Sequence, residues 1–263
     1  MTTDALGRSY TRTGRGTARC WSRVANVGDP CSAMWILFLA VVVLAAANAL
    51  NALLAPGWYV PVCVVAAVLL VLIARRSGLT WDDLGLGRAA ARRGLRWGLV
   101  LAGAVLVVYL VGLALPFAQE AFQDERAAGL SPGELVYRVL VRVPLGTVLL
   151  EEIAFRGVLW AMVRQRWGPA WATAASSVLF GLWHVQPSRG LTRANAAAQA
   201  VFGAGQVGVA LSVTAAVAGT ALAGVLFCEL RRRSGSLIPP VVLHYSLNSL
   251  SYTLAWAASR WWA

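Results

Sequence analysis

The chain has 263 residues, 59% of them hydrophobic and only 13% charged, against about a quarter charged in an ordinary soluble domain, and with a mean hydropathy of +0.65 it excludes that class. The net charge of +12 rests on 23 basic residues, all of them arginine, grouped between apolar runs instead of on one folded basic face. That pattern points to anionic lipid headgroups and excludes nucleic acid as a partner.

Residues 1–32 carry Arg8, Arg12, Arg15, Arg19 and Arg23 among Thr, Ser and Gly and hold too few apolar residues for a core, so they predict a flexible cytoplasmic tail. The remaining 33–263 form one membrane domain. The run Ala33 to Ala55 exceeds the 7 to 15 residues of a signal h-region and reads as a retained first span. Pro56-Gly57 turns the chain into a second span from Trp58 to Ala74, which returns to Arg75-Arg76. A basic stretch, Arg88 to Arg96, is expected to lie along the cytoplasmic surface before a third span from about Leu95 to Leu115. Glu120, Asp124, Glu125 and Glu134 then mark the external side.

A fourth apolar run, Val139 to Val163, ends at Arg164 and Arg166, and Gly168-Pro169 opens a fifth from Ala170 to Val185. The Ala-rich segment 188–205 reads as an interfacial helix, 206–230 as a sixth span stopped by Arg231-Arg232-Arg233, and the stretch from Ser236 as the last. The expected fold is therefore all-α and polytopic, a bundle of about seven to eight transmembrane helices; seven fits the positive-inside rule better, because an eighth would place Arg231–Arg233 outside. Gly203, Gly205 and Gly208 could allow close helix packing. The four cysteines, Cys20, Cys31, Cys63 and Cys228, have no CxxC spacing, so neither a disulfide framework nor a thiolate zinc site is expected. The protein is expected in the cell membrane, multi-pass, with its N-terminus cytoplasmic.

Within the fourth run, Glu151-Glu152-Ile-Ala-Phe-Arg156 places two carboxylates and a guanidinium at membrane depth, where ionisable groups usually mark function. Glu152 and Arg156 are four apart, share a helical face and can neutralise each other. Glu151 is turned about 100° away and is left over as a candidate proton acceptor or donor. Only two histidines occur, each in an apolar segment with a partner at helical spacing: Phe180 before His184, and His244 before Asn248. Three helices thus carry polar groups that lipid cannot satisfy, and a shared hydrated cavity satisfies all of them. Taken singly, Glu152 with Arg156 reads as a structural pair, each histidine as packing and Asn248 as interhelical glue. Jointly, a carboxylate, two imidazoles and an amide are the groups needed to activate water and stabilise an oxyanion.

These three motifs, Glu151-Glu152-x-x-x-Arg156, Phe180-x-x-x-His184 and His244-x-x-x-Asn248, resemble those of the CAAX-processing and bacteriocin-processing intramembrane proteases, the CPBP family; Trp81 to Leu86 and Gly235 to Pro240 look like its flanking segments. The resemblance spans residues 80 to 250. It implies a helical intramembrane endopeptidase of the glutamic type acting on a membrane-associated or leader-peptide substrate, such as a bacteriocin precursor or a membrane-protein tail. It further implies that Glu151 is the base, that His184 helps hold the water, and that His244 and Asn248 polarise the scissile carbonyl, with Glu152, Arg156 and Phe180 in support. No cofactor is expected. Zinc on Glu151, His184 and His244 is the alternative, although no HExxH pair is present. The competing functions are a non-proteolytic membrane regulator or immunity protein that binds a partner, and a transporter with a proton relay, which the lack of an inverted repeat weakens.

Overall fold

A computed structural model describes residues 30–261 together with Thr2–Thr3 and Ser9–Tyr10, two short strands paired antiparallel. The rest of the expected tail lies outside the described residues.

From Pro30 on the chain is helical between short turns. Helix α1 (Pro30–Leu53) and α2 (Tyr59–Arg76) are joined by a turn at Pro56–Trp58, and α3 (Ala91–Ala114) follows a loop over 77–90. A continuous helix, α4 (132–167), then breaks at Gly168, whose φ of 85° is open to glycine, and α5 (169–183) resumes at Pro169. Three short turns of helix, Val185–Ser188, Leu191–Ala194 and Ala196–Phe202, lead to α6 (Gln206–Ser234) and α7 (Ile238–Trp261).

Among the described residues four helices are long and apolar enough to cross a membrane: Met34–Leu53, Pro56–Arg76, Arg88–Ala114 and Gln206–Ser234. Their outward residues, among them Phe38, Val65, Val100 and Leu222, are exposed and apolar, as a lipid-facing surface requires. Helices α4, α5 and α7 carry the polar residues and pack inside; Leu150, Ala154, Phe155, Val158 and Leu159 of α4 are fully buried. The chain is thus an all-helical, multi-pass membrane protein from residue 30 onward.

Several local expectations are revised. Arg92, Arg93 and Arg96 belong to the first turns of α3 itself and not to a separate surface helix. The single run expected from Gln206 is borne out as one uninterrupted helix to Ser234, whereas the interfacial segment before it is broken into short helical turns. Close packing of α5 on α6 uses Gly181, whose position lies against the Val217 carbonyl, and Gly224, which lies against Ser177. Of the glycines expected to pack helices, Gly208 meets only the carbonyls of Phe202 and Gly203.

Helix α4 is wound unusually. Arg138–Val148 and Glu152–Leu159 are π-helical, with a single α turn, Leu149–Glu151, between them. Pro144 lies within the first segment; it has no N–H to donate and its ring crowds the carbonyl four residues back, which favours a wider turn there. At the N-terminal end of α4, Ser131 and Glu134 form a reciprocal capping box.

One end of the bundle is knit together by arginines. Arg231 donates to the carbonyls of Asp82 (3.2 Å) and Asp83 (2.8 Å). Arg164 pairs with Asp83 at 3.0 Å, and Arg93 donates to the Ser234 carbonyl at 2.6 Å. The Leu237 N–H closes on the Gly85 carbonyl at 2.9 Å. The 77–90 loop, the C-terminal end of α4 and the α6–α7 turn therefore share one end, as the arginine clustering predicts. At the other end Trp256 and Arg260 donate to the Leu130 carbonyl.

Candidate active site

The centre of α4 presents two buried carboxylates with different partners. Glu152, 0% exposed, accepts from Arg156 Nη1 at 3.1 Å and meets His244 Nδ1 at 2.8 Å, both through Oε1. The helical pair expected from the sequence therefore forms, with the imidazole of α7 as its third member. Arg156, also fully buried, is flanked by two aromatic faces: its guanidinium carbon lies 3.9 Å from the Phe180 ring centre and 4.7 Å from that of Phe227. Its Nε and Nη2 have no hydrogen-bond acceptor, and the ring faces take that place.

Glu151 is 4% exposed and points elsewhere. Trp183 Nε1 donates to its Oε1 at 3.0 Å, while Oε2 makes no hydrogen bond and lies 3.8 Å from His244 Nε2. Glu151 lines a cavity of about 500 Å³, together with His184, Asn248, Tyr59, Thr147 and Trp183. His184 Nδ1 sits 2.8 Å from the Phe180 carbonyl, which only a protonated Nδ1 can serve as donor. In the neutral ring Nε2 is then an acceptor. Phe180 packs edge-on against His184 with ring centres 4.7 Å apart, the stacking its four-residue spacing predicts. Asn248 Nδ2 donates to the His244 carbonyl at 3.1 Å, leaving its second N–H and its Oδ1 for other partners.

The three motifs thus converge on one place, and Glu151, His184 and Asn248 all face the cavity. His244 is placed differently from expectation. It is 5% exposed and stands behind the cavity wall, between Glu152 and Glu151. Sequence reasoning passed over Trp183, Tyr59 and Thr147. Trp183 was visible only as an aromatic neighbour of His184, and the Tyr59 to Thr147 hydrogen bond of 3.1 Å joins positions 88 residues apart. Asn48 and Asn51 also line the cavity; two amides in an otherwise apolar run were the signal available for them. As for zinc, no group of three or more His, Cys, Asp or Glu side chains among the described residues is spaced to hold a metal ion. Glu151, His184 and His244 do not form such a group.

Fold and site together define a polytopic helical membrane protein with a carboxylate–imidazole centre opening on an internal cavity. Residues 133–250, somewhat less than half of the chain, match the family described as type II CAAX prenyl endopeptidase Rce1-like. The match covers α4, α5, α6 and about half of α7, and includes every motif residue from Glu151 to Asn248. Neither the curated proteins nor the solved structures contain a match to the chain.

Proposed function

We propose that the protein is an intramembrane endopeptidase of metal-free, glutamic type that hydrolyses a peptide bond of a membrane-associated or leader-peptide substrate. The observation that carries this reading is the division of the two carboxylates. Glu152 is occupied by Arg156 and His244, whereas Glu151 lines the cavity and its one protein hydrogen bond comes from Trp183 to Oε1, with Oε2 buried beside His244 and unbonded.

In this reading a water is held between the Glu151 carboxylate and the acceptor Nε2 of His184. Glu151 takes one proton as the water oxygen attacks the scissile carbonyl carbon, and the oxyanion that forms receives the second N–H of Asn248. Glu151 then returns the proton to the leaving nitrogen as the C–N bond breaks, giving a carboxylic acid and an amine, between which a proton passes to leave a carboxylate and an ammonium. His244, with Nδ1–H held by Glu152, keeps an acceptor Nε2 beside Glu151 and positions the protonated acid. The oxyanion role that the resemblance gave jointly to His244 and Asn248 passes to Asn248, because only Asn248 faces the cavity.

The arginine-knit end is assigned to the cytoplasm by the positive-inside rule. The cavity is lined by residues near the other end, including Asn51, Tyr59, Gln186 and Pro187, so its mouth is assigned to the external side.

The test is a graded series on purified enzyme. His184→Ala should lose nearly all turnover of cleavable membrane peptides. Asn248→Ala should lose about 10²- to 10³-fold, the loss measured for one oxyanion donor elsewhere. Near-wild-type turnover in the Asn248 variant would remove it from the reaction.

A further inference from the structure

We propose that Arg142 is a specificity-determining residue that receives a carboxylate of the bound substrate peptide. The proposal rests on the endopeptidase reading above and concerns the same cavity. Arg142 lines that cavity with Glu151, and its guanidinium carbon lies 4.0 Å over the centre of the Tyr59 ring, which the hydrogen bond to Thr147 holds in place. The other arginine on the cavity wall, Arg126, has an acid, Asp124 at 2.5 Å, and the buried Arg156 has Glu152. Among the described residues no carboxylate pairs with Arg142.

A cation set into a membrane bundle without an acid is costly and is usually kept for a function. Stacking on Tyr59 compensates part of that cost and uses only the face of the guanidinium. The N–H edges remain free, and a planar fork of this kind fits a carboxylate through two parallel hydrogen bonds.

The winding of α4 supplies a second and independent argument. Nine residues separate Arg142 from Glu151, and at 3.6 residues per turn that is two and a half turns, placing them on opposite sides of an α-helix. The π-helical segment Arg138–Val148 turns less per residue. It brings Arg142, Thr147 and Glu151 to one face, where all three line the cavity. The distortion around Pro144 thereby places an unpaired cation on the same wall as the proposed base. About two turns of helix lie between the two residues, so a substrate bound to both is extended between its anion and the scissile bond.

Binding separates this proposal from the peptidase reading. Apolar fluorescent peptides with a free C-terminal carboxylate, their C-terminal amide twins, and amide twins carrying one aspartate are titrated onto wild-type protein and onto Arg142→Gln and Arg142→Lys in zwitterionic nanodiscs. The wild type should bind at least one carboxylate form about 10- to 100-fold tighter than its neutral twin. Arg142→Gln should abolish that preference while still binding the neutral twin, and Arg142→Lys should keep part of it. Which carboxylate form is preferred identifies the group that is read. Equal wild-type affinity for all three peptides overturns the proposal, as does a preference that survives in Arg142→Gln. A preference for neutral peptides that emerges when anionic phosphatidylglycerol is added would assign Arg142 to a lipid phosphate and also overturn it. If Arg142→Gln does not fold, the wild-type comparison with Arg142→Lys still decides. Discrimination without any cleavage would sink the peptidase and leave the anion site standing.

Discussion

At the scale of residues the account turns on two neighbouring glutamates that do different things. Glu152 neutralises Arg156 and fixes the His244 ring, all three buried, so Glu152→Gln strands a cation and an imidazole together. Breaking a buried pair of this kind costs about 3 to 5 kcal/mol, and the variant should show a clearly lower melting temperature in detergent. Glu151→Gln keeps the Trp183 hydrogen bond to its amide oxygen and should melt close to wild type. Equal melting of the two variants would contradict the division. The pairing of Glu152 with Arg156 and the stacking of Phe180 on His184 were legible in the sequence, because both are fixed by a four-residue helical spacing. The His244 contact to Glu152 was not, since it joins residues 92 apart and no local period encodes it.

At the scale of elements, the 77–90 loop is the joint between α2, α3, α4 and α6, and Asp83 is its electrostatic centre. Burial pushes the Asp83 carboxyl up, but hydrogen bonds from the Thr80 hydroxyl and N–H and the nearby Arg164 and Arg231 cations outweigh it and hold it below the usual carboxylate range. A group whose folded value is lowered stabilises the fold above its unfolded value of about 3.9 and loses that contribution as pH falls through the folded value. The melting-temperature difference between wild type and Asp83→Asn should therefore be flat from about pH 8 to pH 5 and shrink below about pH 4. A difference that grew on acidification would refute the assignment. The helices themselves were legible from their apolar runs, and Gly168-Pro169 marked the break between α4 and α5. The π-helical winding was not legible, because a period of 3.6 was assumed throughout. That assumption hid Arg142 on the far side of the helix from Glu151.

At the scale of the whole molecule, the greater number of arginines at one end is what gives the cavity its proposed external side. Arg75, Arg88, Arg93, Arg164 and Arg231 gather at one end, while the cavity opens toward the turns after α1 and α5. In intact cells an impermeant maleimide should label Gln186→Cys and spare both Arg88→Cys and the native Cys20; Cys63 and Cys228 are buried and silent. Labelling of Arg88→Cys with protection of Gln186→Cys would invert the orientation. The membrane class was legible from composition alone. Which of the long helices cross the membrane was not, because α4, α5 and α7 carry too many polar residues for an apolarity criterion.

The central claim is that Glu151, without a metal, activates the water that cleaves a membrane peptide. The most direct measurement compares wild type and Glu151→Gln in proteoliposomes loaded with a membrane-protein extract, before and after exhaustive chelation, with newly formed C-termini read by mass spectrometry and bound metal by elemental analysis. The account predicts new C-termini with the wild type, the same set after chelation, and none above background with Glu151→Gln. New C-termini that persist in Glu151→Gln, or that vanish on chelation and return in step with stoichiometric zinc, would contradict it.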